Sequence, residues 1–159
     1  MWPLRFFQWA EATALGEMIR MSPWAFAVIE SCHLLALSVI GGAVLIVDLR
    51  LLGFGLRQQP IADVARDARP WLFSSLIVML VTGVGLFLSE PMKCYASRAF
   101  AVKMTCLALA IVFTFTVRMK VTMADEGRVR PSWLKLVALV SLALWFGVGA
   151  SGRWIGFSG

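Results

Sequence analysis

Only 15% of the 159 residues are charged, well below the usual quarter of a soluble domain. Apolar residues make up 60%, against roughly 45–50% in soluble domains, and the mean hydropathy is +0.81. That balance excludes a soluble globular enzyme. It also excludes low-complexity disorder, whose chains are poor in apolar residues. The three cysteines are sparse and odd in number, and none forms a Cys-x-x-Cys pair. Neither a disulfide scaffold nor a thiol redox centre is therefore expected. Phosphate loops and nucleophile-and-base arrangements are missing, so hydrolysis has no candidates and no catalytic activity of the chain's own is expected. Strand-like alternation is missing too, which argues against a membrane barrel.

What is present is four apolar stretches. A bilayer core of about 30 Å needs roughly 20 apolar residues in a helix, and the spans are expected at about 23–50, 70–89, 98–120 and 132–152. The fold class is all-α: a polytopic membrane protein, four transmembrane helices in one bundle, forming a single membrane domain over 1–159. Residues of about 3–20 read as an N-terminal interfacial helix, suggested by Trp2, Phe6, Trp9, Thr13, Leu15 and Met18. Glu11 and Glu17 within it argue against a cleavable signal. Ser22 and Pro23 make a helix start, as N-cap and first-turn proline. The stretch 60–69 reads as a short amphipathic turn or helix leading into Pro70.

Basic residues set the direction. Arg50, Arg57, Arg66, Arg69, Arg118, Lys120, Arg128, Arg130 and Lys135 fall on one side; Arg5, Arg20, Lys93, Arg98 and Arg153 fall on the other. The richer side is expected in the cytoplasm, with both termini on the outer, periplasmic side of a bacterial inner membrane. Trp24 and Trp154 sit at the outer span ends, and Trp71 and Trp133 at the inner ends, as interfacial tryptophans do. Only Trp145 falls well inside a span. The net charge of +6 follows from this asymmetry and from attraction to anionic headgroups. The expected partner is the lipid bilayer, and no nucleic acid.

Ionisable groups at membrane depth face a partner or a cavity. They are Glu30, His33 and Lys103, with Glu90 at a helix end. Phe26, Glu30, His33, Leu37, Gly41 and Val44 form one stripe at three- and four-residue steps, expected to face the bundle interior. His33 lies about ten residues below Trp24, roughly 15 Å at about 1.5 Å per residue, near the midplane. Glu30 and Lys103 enter from the same side to similar depth, so a structural ion pair between them fits; Lys103 snorkelling to the headgroups fits as well.

His33 is the only histidine and the only candidate metal ligand of its type. It reads as an axial ligand of haem b, or as a neutral imidazole hydrogen-bonded to a neighbouring helix. Met79 is the second-ligand candidate by depth, with Met104 shallower. Glu30-x-x-His33 also has the spacing of a di-iron bundle pair, but one chain supplies only one such pair. Small residues at Ser38, Gly42, Gly83, Gly85, Ala143, Gly147 and Ser151 permit close helix contact. They equally leave room for a flat cofactor or a quinone, with Trp145 near it in depth. Asp48 closes the first span and is expected to pair with Arg118 or Arg69.

Four strings carry a resemblance: Val28-Ile-Glu-Ser-Cys-His33, Asp48-Leu-Arg-Leu-Leu-Gly53, Arg69-Pro-Trp71 leading to Val81-Thr-Gly83, and Glu90-Pro-Met-Lys-Cys-Tyr95 leading to Phe100 and Lys103. They resemble an uncharacterised family of small bacterial four-span inner-membrane proteins, distantly similar to the copper-resistance D membrane proteins. The resemblance covers most of the chain and implies topology more than activity. It also implies a further histidine near the end of the third span in some members. Here that region reads Phe113-Thr-Phe-Thr-Val-Arg118, which departs from a two-histidine site. The expectation is an integral membrane subunit of an electron-transfer assembly, in a homo-oligomer or larger membrane complex. Glu30, His33, Met79 and Trp145 would face haem b or quinone. A structural subunit without cofactor, or a metal or proton transporter, is the alternative.

Overall fold

The computed structural model describes residues 4–124 and 129–157. Trp2 and Arg128 lie outside them. The described residues are almost entirely helical: α1 (Leu4–Glu11), α2 (Ala14–Met21), α3 (Pro23–Leu52), α4 (Ile61–Ser89), α5 (Pro91–Ala96), α6 (Arg98–Phe113), a π-helical turn (Thr114–Arg118), α7 (Met119–Thr122) and α8 (Pro131–Phe157). Four helices are long and apolar enough to cross a membrane: Pro23–Leu52, Ile61–Ser89, Arg98–Thr122 and Pro131–Ile155. The protein is a multi-pass membrane protein. Its outward faces suit lipid, because Trp24, Leu35, Val81 and Phe146 all stand exposed. Such apolar exposure over a whole bundle is unsustainable in water.

Helix α3 is the centre. It packs on α4 and on α8, and α6 packs on α8. Ala36, Ile40, Val44 and Val47 of α3 meet Leu72, Leu76 and Met79 of α4, Leu107 and Ala110 of α6, and Val137, Ala138, Trp145 and Val148 of α8. The buried stripe of α3 therefore runs through His33, Ala36, Ile40, Ala43, Val44, Val47 and Leu51. The expected stripe is rotated by comparison: His33 and Val44 face inward, but Glu30 and Gly41 are exposed. The backbones of α4 and α6 stay apart, and the two helices meet through side chains such as Phe87 and Phe100.

Two further expectations change. The N-terminal segment is two short helices rather than one. Thr13 breaks it, donating its hydroxyl to Ala10 O at 2.7 Å and accepting from Gly16 N at 3.3 Å, which caps α2. The amphipathic stretch before Pro70 is fused to the second span as one helix, α4. Pro70 removes one backbone donor, yet Val64, Ala65, Ala68 and Leu72 stay buried along one face and hold the helix on α3. Ser22 caps α3 as expected, accepting from Ala25 N. At its other end Gly53, at φ +84°, takes the left-handed position, and Phe54 N reaches Leu49 O at 2.8 Å.

The deepest polar contact joins α3 to the π-helical turn. Arg118 Nε donates to Asp48 Oδ1 at 2.8 Å, and its Nη2 to Val44 O at 3.2 Å. Asp48 is wholly buried. Of the two candidate partners, Arg118 is the one that pairs. The π-helical turn also carries Thr114, which accepts from Trp145 Nε1 at 3.3 Å.

Candidate functional site

One end of the bundle is built differently from the other. There α1, α2 and α5 pack against one another and against the ends of the long helices. Phe7 of α1 is buried in an aromatic cluster, with ring centroids 5.5 Å from Phe87, 5.3 Å from Tyr95 and 6.3 Å from Phe100. Arg20 of α2 donates to the last carbonyls of α4, Leu88 O at 3.2 Å and Ser89 O at 3.3 Å, and to Glu11 O at 2.7 Å. Those carbonyls have no partner within their own helix, so the arginine ties the N-terminal pair to the end of α4.

Beneath this cover lie two adjoining cavities. The first, about 350 Å³, lies between α4 and α6 and is almost wholly apolar; Leu80, Val84, Phe87, Phe100 and Leu107 form its walls and Phe6 and Phe7 its roof. The second, about 250 Å³, lies among α3, α4, α6 and α8, and its mouth is polar, with Glu30, Glu90, Lys93 and Arg153. His33, Met79, Gly83, Phe87, Phe100 and Lys103 line both. The junction of a greasy slot with a charged funnel is thus marked by one imidazole and one amine.

His33 is held there by α4. Its Nδ1 lies 2.9 Å from Thr82 Oγ1. The Thr82 hydroxyl is already spent as a donor, on Val78 O at 2.6 Å. Its oxygen must therefore accept from the ring, which puts the proton on Nδ1 and leaves Nε2 as a bare acceptor. Gly83 keeps the ring's place open: a Cβ there would sit 3.4 Å from His33 Cε1. Lys103 lays its stem along α8, where Gly152 would carry a Cβ 3.5 Å from Cε and Nζ. The Lys103 amine makes no hydrogen bond or ion pair among the described residues.

His33, Met79 and Lys103 are thus brought together, and Met79 is buried beside the ring at 4% exposure. Glu30 shares the funnel with Lys103, but the expected ion pair between them does not form. Matching depth was not enough: Glu30 is exposed at the side of α3, while Lys103 follows α8. Trp145 lines neither cavity and is committed to Thr114 in the core. Thr82 and the Phe87–Phe100 stack, 5.7 Å between centroids, were not anticipated. Threonines in membrane helices ordinarily bond back to their own helix, so nothing in the string around Thr82 distinguishes it. No group of three His, Cys, Asp or Glu side chains among the described residues could hold a metal ion.

Cys94 of α5 lies beside the funnel, and burial pushes its thiol up to about 11. A thiol rather than a thiolate is then present at neutral pH, so the group is a poor nucleophile. In a Cys32→Ser/Cys106→Ser background, maleimide labelling of Cys94 should rise about tenfold per pH unit from pH 7 to 10. A rate that levels off near pH 8.5 would refute the burial argument.

No curated protein and no solved structure matches this chain. Residues 6–158 match the family of unknown function DUF6644. That match takes in α1 from Phe6 onward, α2, α5, the two cavities and all four spans, and the chain belongs to that family.

Proposed function

We propose that the protein is a membrane subunit of an electron-transfer assembly in the bacterial inner membrane, in which His33 faces a redox cofactor, haem b or a quinone. Both termini and the cavity mouth then lie on the periplasmic side, the side poorer in basic residues. In this reading the chain works within an oligomer or larger complex that supplies the electron donor and acceptor. One observation carries the reading. Thr82 Oγ1 accepts a hydrogen bond from Nδ1–H and orients the ring, so Nε2 is presented as an acceptor beside an apolar cavity. An imidazole oriented through its other nitrogen is the usual arrangement of a ligand to iron, and it serves equally to accept from a hydroxyl. Met79 beside the ring supplies a polarizable wall.

The test is direct. Detergent-purified protein should show a Soret band that disappears in His33→Ala, or release an extractable quinone whose occupancy falls at least tenfold in the same variant. Thr82→Val should weaken retention about tenfold by freeing the ring. A preparation with neither haem nor quinone ends the reading. A structural or assembly role would then remain. It draws support from the buried Asp48–Arg118 pair, which sets the register of two spans without any ligand.

A further inference from the structure

The two cavities share one junction but have different openings. The funnel opens at the covered end of the bundle, among charged residues. The slot opens sideways, because the backbones of α4 and α6 stay apart below the Phe87–Phe100 stack and its wall residues Leu80 and Val84 are themselves exposed at the helix surface. In a bilayer that face meets acyl chains. Phe6 and Phe7 line the covered end of the slot, so its broad apolar entrance is the one that faces the membrane.

The polar content of the junction narrows what that ligand is. Lys103 Nζ is a donor in either protonation state and has no partner among the described residues. His33 Nε2 is an acceptor, because Nδ1 holds the ring proton. A donor and an acceptor at the inner end of an apolar slot match a ring with oxygens on its edge. The oxidised ring offers a carbonyl to Lys103, and the reduced ring offers a hydroxyl to His33. The stacked Phe87 and Phe100 supply a flat apolar flank, and about 350 Å³ lies in the usual range for a small-molecule site. A phospholipid head would engage Lys103 alone and leave the imidazole unsatisfied at depth, which is costly.

Resting on the electron-transfer reading, we infer that the slot between α4 and α6 is a lateral binding site for an isoprenoid quinone and its quinol. The ring meets Lys103 and His33, and the tail leaves past Leu80 and Val84 into the lipid.

Reconstitution of the full chain in phosphatidylcholine nanodiscs with an azido-ubiquinone photolabel tests this. Labelling should map to α4 and α6 at the slot, and excess decyl-ubiquinone should reduce it at least tenfold. Val84→Trp, which plugs the opening, should reduce it at least tenfold. Ile77→Trp, on an exposed face of the same helix outside the slot, should leave it unchanged and control for folding. Lys103→Met should weaken competition by decyl-ubiquinone about tenfold. Labelling spread over the lipid-facing helices, or undiminished by Val84→Trp or by decyl-ubiquinone, overturns the site. A His33-dependent Soret band with no slot labelling overturns the quinone while leaving the electron-transfer reading intact. Loss of both signals removes the two together.

Discussion

Arg118→Leu should destabilise the protein by about 3–5 kcal/mol, the cost of leaving one member of a buried ion pair behind. The pair is well inside: Asp48 is 0% exposed and Arg118 5%. One guanidinium makes both the carboxylate contact and a bond to Val44 O. The Ser141 hydroxyl lies beside the carboxylate, but a neutral hydroxyl cannot supply the charge that the arginine brings. Without it the carboxylate must carry its charge unpaired or take up a proton. The pair itself is a weaker source of stability than its rupture suggests, because two charges lose their hydration together. The double variant Asp48→Leu/Arg118→Leu should therefore recover most of what Arg118→Leu loses. SDS-induced unfolding of the parent, the two single variants and the double variant measures the cycle. A single variant within about 0.5 kcal/mol of the parent would show that the carboxylate reaches water by another route.

The parts that could be read from the chain are those governed by one coordinate. Hydropathy and tryptophan placement give depth, and the four spans and the Trp24, Trp71, Trp133 and Trp154 belts follow from depth alone. Asp48 and Arg118 were legible for the same reason: both end spans on one side, and charges there seek each other. Glu30 and Lys103 share a depth as well, yet do not pair. Rotation about the helix axis decided that case: α3 turns Ile40, Val44 and Val47, with Asp48 beside them, into the bundle and leaves Glu30 outside. The cavity was illegible for a related reason. Its aromatic walls come from α1, α4 and α6, with no local spacing linking Phe7, Phe87 and Phe100. His33 was found because a lone histidine in a span is conspicuous. Its tautomer was not, since it depends on a threonine 49 residues away. Trp145 shows the converse error: the depth suited a cofactor, but the π-helical turn turned Thr114 toward the indole.

The second large effect is expected at Gly16, where Gly16→Ala should detach the N-terminal cover from the bundle. Helices α2 and α4 approach so closely there that an added Cβ would land on the Leu88 carbonyl oxygen and crowd Thr13 Oγ1. The obstacle is backbone at the end of a long helix, so no side-chain rotation relieves it. Overpacking of this kind costs about 1–3 kcal/mol or more, and the contacts it strains are few: the α2–α4 joint, the Arg20 bonds to Leu88 and Ser89, and the Phe7 cluster. The four spans do not depend on them, so the loss should be local. Trypsin should cut at Arg20 in Gly16→Ala at least tenfold faster than in the parent protein. SDS unfolding of the spans should move by less than about 1 kcal/mol, consistent with sub-global opening. Since Phe6 and Phe7 roof the slot, the same variant should release whatever the slot holds, with His33, Thr82 and Lys103 all unaltered. Equal cleavage rates would mean that α2 can slide along α4, and that Arg20 rather than close backbone contact holds the cover in place.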